Sequence, residues 1–315
     1  MLPHQRQWAR IEFRELFAGN HGCAFEDLFD RLMELCHPGY VAVRTHGNIG
    51  DLGCDGLGLH DRTLYACYAP ETVDVREIRR KFRSDLLSAV TQRPEHFENF
   101  TFVHNDPRGG VHPVVSGLLV EAQRDYPNLK FHELNPRKLW NRAVRLDEVG
   151  MALLLGVPEI PVQEVVYGVG LREIQPLLDH LREERKRLSG ALSVAPPPAT
   201  KLAYNALNDD YVDAITAGLK LSHVIDDYYA RVADLTEHDE VAAGFNAHYQ
   251  QVRAEHPGDP DAVMWEMEVY VLGNRRPLRE LQVAADAVLA HFFERCDIFD
   301  RPPAEWQPGQ PHGWV

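Results

Sequence analysis

The 315-residue chain lacks any run of 18 apolar residues, so no membrane-spanning helix is expected. Its opening, "MLPHQRQWARIEFRELF", interleaves charge with apolar residues and lacks the apolar core of a secretion signal. A cytoplasmic protein is the expectation. Cysteine is scarce: the five, Cys23, Cys36, Cys54, Cys67 and Cys296, form no CxxC pair. That argues against a zinc ribbon and for reduced thiols, several of them buried. No GxSxG, HExxH or Walker phosphate loop occurs, and no internal repeat. "YGVGLRE" (167–173) has no third glycine, so it is a poor dinucleotide fingerprint. Positive charge is short as well. Residues 1–150 hold 19 Lys+Arg against 21 Asp+Glu, a balance of −2; residues 151–315 hold 14 against 26, a balance of −12. Phosphate neutralisation supplies most nonspecific nucleic-acid affinity, so any such surface belongs to the N-terminal half.

What the chain does have is alternation of strand and helix signals, followed by helix alone. Residues 8–36 read as helical, with Phe25, Leu28, Phe29, Leu32 and Leu35 on one face until His37-Pro38-Gly39 stops it. "YVAVRTHG" (40–47) alternates as a strand. The glycines at 47, 50, 53, 56 and 58 suit a tight turn or bulge better than a strand centre. "TLYACYA" (63–69) is an uncharged buried strand. Helices are expected at 74–92, 112–126 and 136–146, with strands at 99–106 and 128–134 between them. This alternation predicts an α/β layer with a mixed or parallel sheet. A charged helix follows at 171–188, then the proline-rich linker "SVAPPPAT" (193–200), then helix periodicity from 201 to 299. The expected domains are therefore 1–195, α/β, and 196–315, acidic, all-α and suited to partner docking or assembly. In "AADAVLAHFFERCDIFDRP" (284–302), Val288, Leu289, Phe292, Phe293 and Phe299 predict a packed terminal helix, with an assembly surface as the alternative.

The fragment "FEDLFDRLMELCHPGYVAVRTHGNIGDLGCDG" resembles the opening of the Mrr-like branch of the restriction-endonuclease fold. Phe25-Glu26, Gly39-Tyr40 and Gly50-Asp51-Leu52-Gly53-Cys54-Asp55-Gly56 carry the likeness. It implies a restriction-endonuclease-like core in which Glu26 and Asp55 hold Mg²⁺ or Mn²⁺, hard cations that take oxygen ligands. Asp51 is then a turn residue. The family's Gln-x-Lys pair falls on Ala66 and Tyr68, neither of which can replace it. Substitutes are available nearby. Glu71 lies just past the strand, and Lys81 stands on the next helix among Arg76, Arg79, Arg80 and Arg83, a basic group suited to phosphate contact. His104 and His112 could flank the same sheet edge.

Across most of the chain, "GDLGCDG…YACYAPE", "FTFVHND", "NPRKLW" and "AVLAHFFERCDIFDRP" resemble the ABC-three-component (ABC-3C) family of bacterial conflict-system proteins. The resemblance implies a defence role beside an ABC-type ATPase and a small middle component, with DNA and a second copy of the chain as further candidate partners. Three readings stay open: a non-cleaving component that touches nucleic acid or scaffolds; an active Mg²⁺-dependent DNase using Glu26, Asp55 and a displaced Lys81; and a sensor of a nucleotide or phage protein.

Overall fold

A computed structural model describes the chain except for residues 44–52, 73, 107–111, 166, 185–199, 233–235, 296–297, 304, 308–313 and 315. By internal packing the chain forms two units: Glu12–Ile160, and Met1–Ile11 together with Pro161–Val315. Most of the expected linker, 193–199, lies outside the described residues.

In the first unit, five strands stand side by side in chain order: β1 (Tyr40–Ala42), β2 (Gly56–Gly58), β3 (Thr63–Tyr68), β4 (Asn99–His104) and β5 (Lys130–Leu134). The pairs β1–β2 and β2–β3 are antiparallel; β3–β4 and β4–β5 are parallel. The crossovers are helices α3 (Val75–Gln92) and α4 (Pro113–Asp125), as parallel pairing requires. Asp74 caps α3 by accepting from Arg76 N, and Pro113 starts α4 behind a His112 cap. Alternate residues of the sheet serve opposite faces. Leu64, Ala66, Phe100 and Phe102 pack with Ile78, Phe82 and Leu86 of α3 and with Val115 and Leu118 of α4. Tyr65 turns the other way, its ring 5.5 Å from Phe29 of α2 (Cys23–Cys36). Helices α5 (Pro136–Ala143) and α6 (Glu148–Leu155) also pack on α2. Helix α1 (Pro3–Gly19) contributes its last turns here, Phe13 and Phe17 stacking at 4.0 Å.

Two sequence expectations change. The single helical region 8–36 divides at Asn20–Gly22, where Gly22 takes φ +52. The glycine stretch, expected as a turn, contributes a central strand: Gly56–Gly58 pairs on both sides. Glycine is required there because a Cβ on Gly56 would collide with the Tyr40 hydroxyl. The remainder of the expected strand 40–47 and the turn residue Asp51 fall outside the described residues.

The second unit is helical. Its elements are α7 (Leu171–Glu184), α8 (Thr200–Tyr204), α9 (Asp209–Leu219), α10 (Ser222–Tyr229), α11 (Glu237–Glu255), α12 (Pro260–Leu272) and α13 (Arg279–Glu294). Gln282 through Phe293 of α13 are all buried, as in a helix surrounded on every side. Helix α9 meets it closely: a Cβ on Gly218 would strike the Asp286 carbonyl. Val288, Leu289, Phe292, Phe293 and Phe299 all lie in this core. The described part of the terminal string is therefore packed, as helix to Glu294, and not a free surface.

Candidate functional site

Asp55 immediately precedes β2 and is stitched into the sheet. Its amide donates to Tyr65 O at 2.9 Å, its carbonyl accepts from Val43 N at 2.9 Å, and its Oδ2 accepts from Cys67 N at 2.6 Å. The side chain is thereby fixed at the start of β2. Cys67, the residue between Ala66 and Tyr68, is 2% exposed. Burial pushes its thiol well above the ordinary value. The carboxylates of Asp55, Glu26 and Asp30 push the same way, while Lys81 pulls it down. Of the four expected catalytic residues, Asp55 bonds the Cys67 amide, and Glu26 and Lys81 act on its thiol electrostatically. The fourth, Glu71, is exposed just past β3.

The site contains a carboxylate that the sequence reading missed. Asp30 follows Glu26 by four residues, so both stand on one face of α2. The Tyr40 hydroxyl donates to Asp30 Oδ1. Burial raises the Asp30 carboxyl above its usual value, Tyr40 opposes that, and Glu34 and Asp55 add to it. The i,i+4 spacing from Glu26 was the signal that could have found it.

Lys81 Nζ lies 3.0 Å from Asp85 Oδ2 on α3. Around it Arg76, Arg79, Arg80 and Arg83 are all exposed. Arg80 pairs with Glu77 at 2.6 Å and Arg83 with Glu121 at 3.2 Å, which reduces the charge they offer a phosphate. Ala66 is fully buried in the apolar core against α3, and Tyr68 stacks on Phe102 at 6.1 Å. Ala66 and Tyr68 therefore serve packing.

Asp55 and Glu26 are hard oxygen donors, and Mg²⁺ is commonly held by one or two carboxylates with water completing the shell. Among the described residues no group of three or more His, Cys, Asp and Glu side chains is placed to hold a metal.

His104 and His112 do meet at one edge. With Tyr68, Phe102 and Asp106 they line a cavity of about 30 Å³ beside the C-terminal ends of β3 and β4, room for one water. Both His104 nitrogens are engaged, Nε2 with Glu133 Oε1 at 3.1 Å and Nδ1 accepting from Asp106 N at 3.2 Å. His112 Nδ1 accepts from Val114 N as the α4 cap. These are structural histidines.

In the helical unit Lys201, 1% exposed, donates to Phe293 O at 2.6 Å and Ile298 O at 2.7 Å. It satisfies carbonyls at the end of α13 that the helix itself leaves open. Asn205 Nδ2 donates to Asp300 O at 2.8 Å, so α8 and the residue after it hold Phe293, Ile298 and Asp300 in place. Residues 172–300 match C-terminal domain 10 of the ABC-three component (ABC-3C) systems. The match supports that family and runs from the first turn of α7 to the segment Asn205 holds, which is nearly the whole helical core. The ABC-3C match does not extend to Glu12–Ile160. No curated protein and no solved structure matches the chain. No helix is long and apolar enough to cross a membrane among the described residues.

Proposed function

We propose that the protein is a component of an ABC-3C defence system against phage and mobile elements, working beside an ABC-type ATPase and a small middle component. The match of residues 172–300 carries this reading. In it the acidic helical unit docks a partner, and the α/β unit is a restriction-endonuclease-like module that touches nucleic acid along α3. Arg76 and Arg79 have no carboxylate partner among the described residues and lead that contact; Arg80 and Arg83 exchange Glu77 and Glu121 for phosphate. The burial of Ala66 and the stacking of Tyr68 favour contact without cleavage.

One observation favours a second reading, cleavage: beyond the effect of burial, Glu26 and Asp55 push the thiol of Cys67 up and Lys81 pulls it down. Asp55 and Glu26 would hold Mg²⁺ or Mn²⁺, which when bound polarises the scissile phosphate and its attacking water. Lys81 supplies the cation that Tyr68 cannot.

Incubation of the purified chain with plasmid and Mg²⁺ or Mn²⁺, alone and with the co-encoded ATPase, separates the two. Cutting that Glu26→Gln and Asp55→Asn both abolish establishes the cleaving form. Absence of cutting under every condition, with plasmid still retained in a gel shift, leaves the contact form. Failure of the chain to co-purify with any ATPase or small component encoded beside it would sink the defence-system reading.

A further inference from the structure

Helix α3 meets the site through two contacts that share one residue. Gly53 sits at φ +72, two residues before Asp55, and a Cβ there would collide with the Asp85 carbonyl oxygen. The α3 backbone at Asp85 therefore lies directly on the turn that carries Asp55. One turn earlier on the helix, Lys81 reaches Asp85 Oδ2 at 3.0 Å; the two side chains are 29% and 9% exposed. Asp85 is thus both the point where the helix abuts the turn and the partner of the lysine.

A lysine ammonium on a four-carbon stem has many rotamers, and an exposed one delivers little charge to any single point. The neighbouring arginines are in that condition. Lys81 is different, because its partner is itself anchored against the site. We infer that Asp85 is a positioning residue that fixes Lys81 toward Asp55 and Glu26 as the cation of that site. The cleavage reading is where this role matters most, but the placement stands or falls on its own measurement. The alternative is that the Lys81–Asp85 pair only staples two turns of α3.

Reductive ¹³C-methylation of the intact chain allows each lysine to be titrated by NMR. There are six, at 81, 130, 138, 186, 201 and 220; the Lys81 signal is the one lost in Lys81→Met. Asp85→Asn should lower the Lys81 midpoint by about one unit, and Asp85→Glu should restore most of it. The deciding variants are Asp55→Asn and, where that buried change impairs folding, Glu26→Gln on the half-buried face of α2. Each should lower the Lys81 midpoint by several tenths of a unit. If Lys81 responds to Asp85→Asn but to neither of the others, the pair is only a staple and the inference is wrong. If wild type cuts plasmid, Asp85→Asn should move the alkaline limb of kcat down by the increment seen in the titration. If wild type never cuts while Lys81 still responds to Asp55→Asn and Glu26→Gln, the cleavage reading fails and the positioning role stands.

Discussion

Both units bury charge, and they do so in opposite ways. In the helical unit Arg10, 1% exposed, lies between Glu268 and Asp286, bonding the first and standing 3.5 Å from the second. Gln282 Nε2 donates to both carboxylates, at 2.9 and 3.1 Å, and the Tyr211 ring stands 5.0 Å from the guanidinium. Burial alone would lower the Arg10 pKa, yet the two carboxylates hold it above its ordinary value. Every charged member of the arrangement is buried. In the α/β unit burial, followed by Asp55, Glu26 and Asp30, pushes the Cys67 thiol up, and Lys81 opposes them. An excess of carboxylate repels phosphate and gains nothing for a packing core, whereas a site for a bound cation uses it. The contrast separates a structural ion cluster from a candidate site.

The most severe way to break the comparison is to remove the cation from the closed cluster. Arg10→Met leaves Glu268 and Asp286 buried without their counter-charge. It should cost about 3–5 kcal/mol of stability, read by urea unfolding of the whole chain. Adding Glu268→Gln should recover part of that loss. Lys81→Met, at a half-buried pair, should cost far less. Equal losses would show that both clusters are structural.

The second test is acid. His238 Nε2 and His291 Nε2 lie 3.0 Å apart and share one hydrogen, while Ser222 Oγ meets His291 Nδ1 at 3.1 Å. Asp239 stands 3.6 Å from His238 Nδ1 and Asp226 3.9 Å from His291 Nδ1; Arg295 pairs with Asp226. Burial, Arg295 and His238 push His291 down to about 3, and burial followed by Arg295 lowers His238. A histidine whose folded value is depressed binds its proton first in the unfolded chain. Stability is therefore full above about 6.5 and falls as pH drops toward the folded value. His291 alone should contribute a slope near 1.4 kcal/mol per pH unit between about pH 6 and 4, or about 2–3 kcal/mol in all. His291→Gln should flatten that part of the curve. An unchanged slope would mean the pair is not held neutral.

The third test acts on the open site. Gly53→Ala forces a Cβ into the Asp85 carbonyl at a positive φ and should cost about 1–3 kcal/mol. It should also weaken the Lys81 response to Asp55→Asn, because α3 must move off the turn. A stable variant with that response intact would show that the close approach is not what places the lysine.

How much of this could be read in advance follows from how local each signal is. The apolar face of α2, the Asn135-Pro136 start of α5 and the uncharged β3 were legible, because neighbours in sequence determine them. So was the ABC-3C character of the terminal strings, to the extent of residues 172–300. Strand β2 was hidden, since Gly56 and Gly58 speak for a turn until Tyr40 is known to cross above them. Asp30 and Asp85 were missed although each stands four residues from a residue already singled out, Glu26 and Lys81. Arg10 could not be assigned at all: its partner Glu268 is 258 positions away. No local pattern groups the first eleven residues with the C-terminal helices.

The mildest change asks whether α3 is a surface or an interface. Arg76 and Arg79 are exposed, and neither side chain has a partner among the described residues. Replacing both by alanine should leave the unfolding midpoint unchanged. If the helix contacts phosphate, affinity for duplex DNA should fall similarly across sequences, and the dependence of log K on log salt should flatten by about one per arginine lost. Arg80→Ala should flatten it less, because Arg80 must first release Glu77. A salt dependence identical in all three proteins would take nucleic acid off this helix.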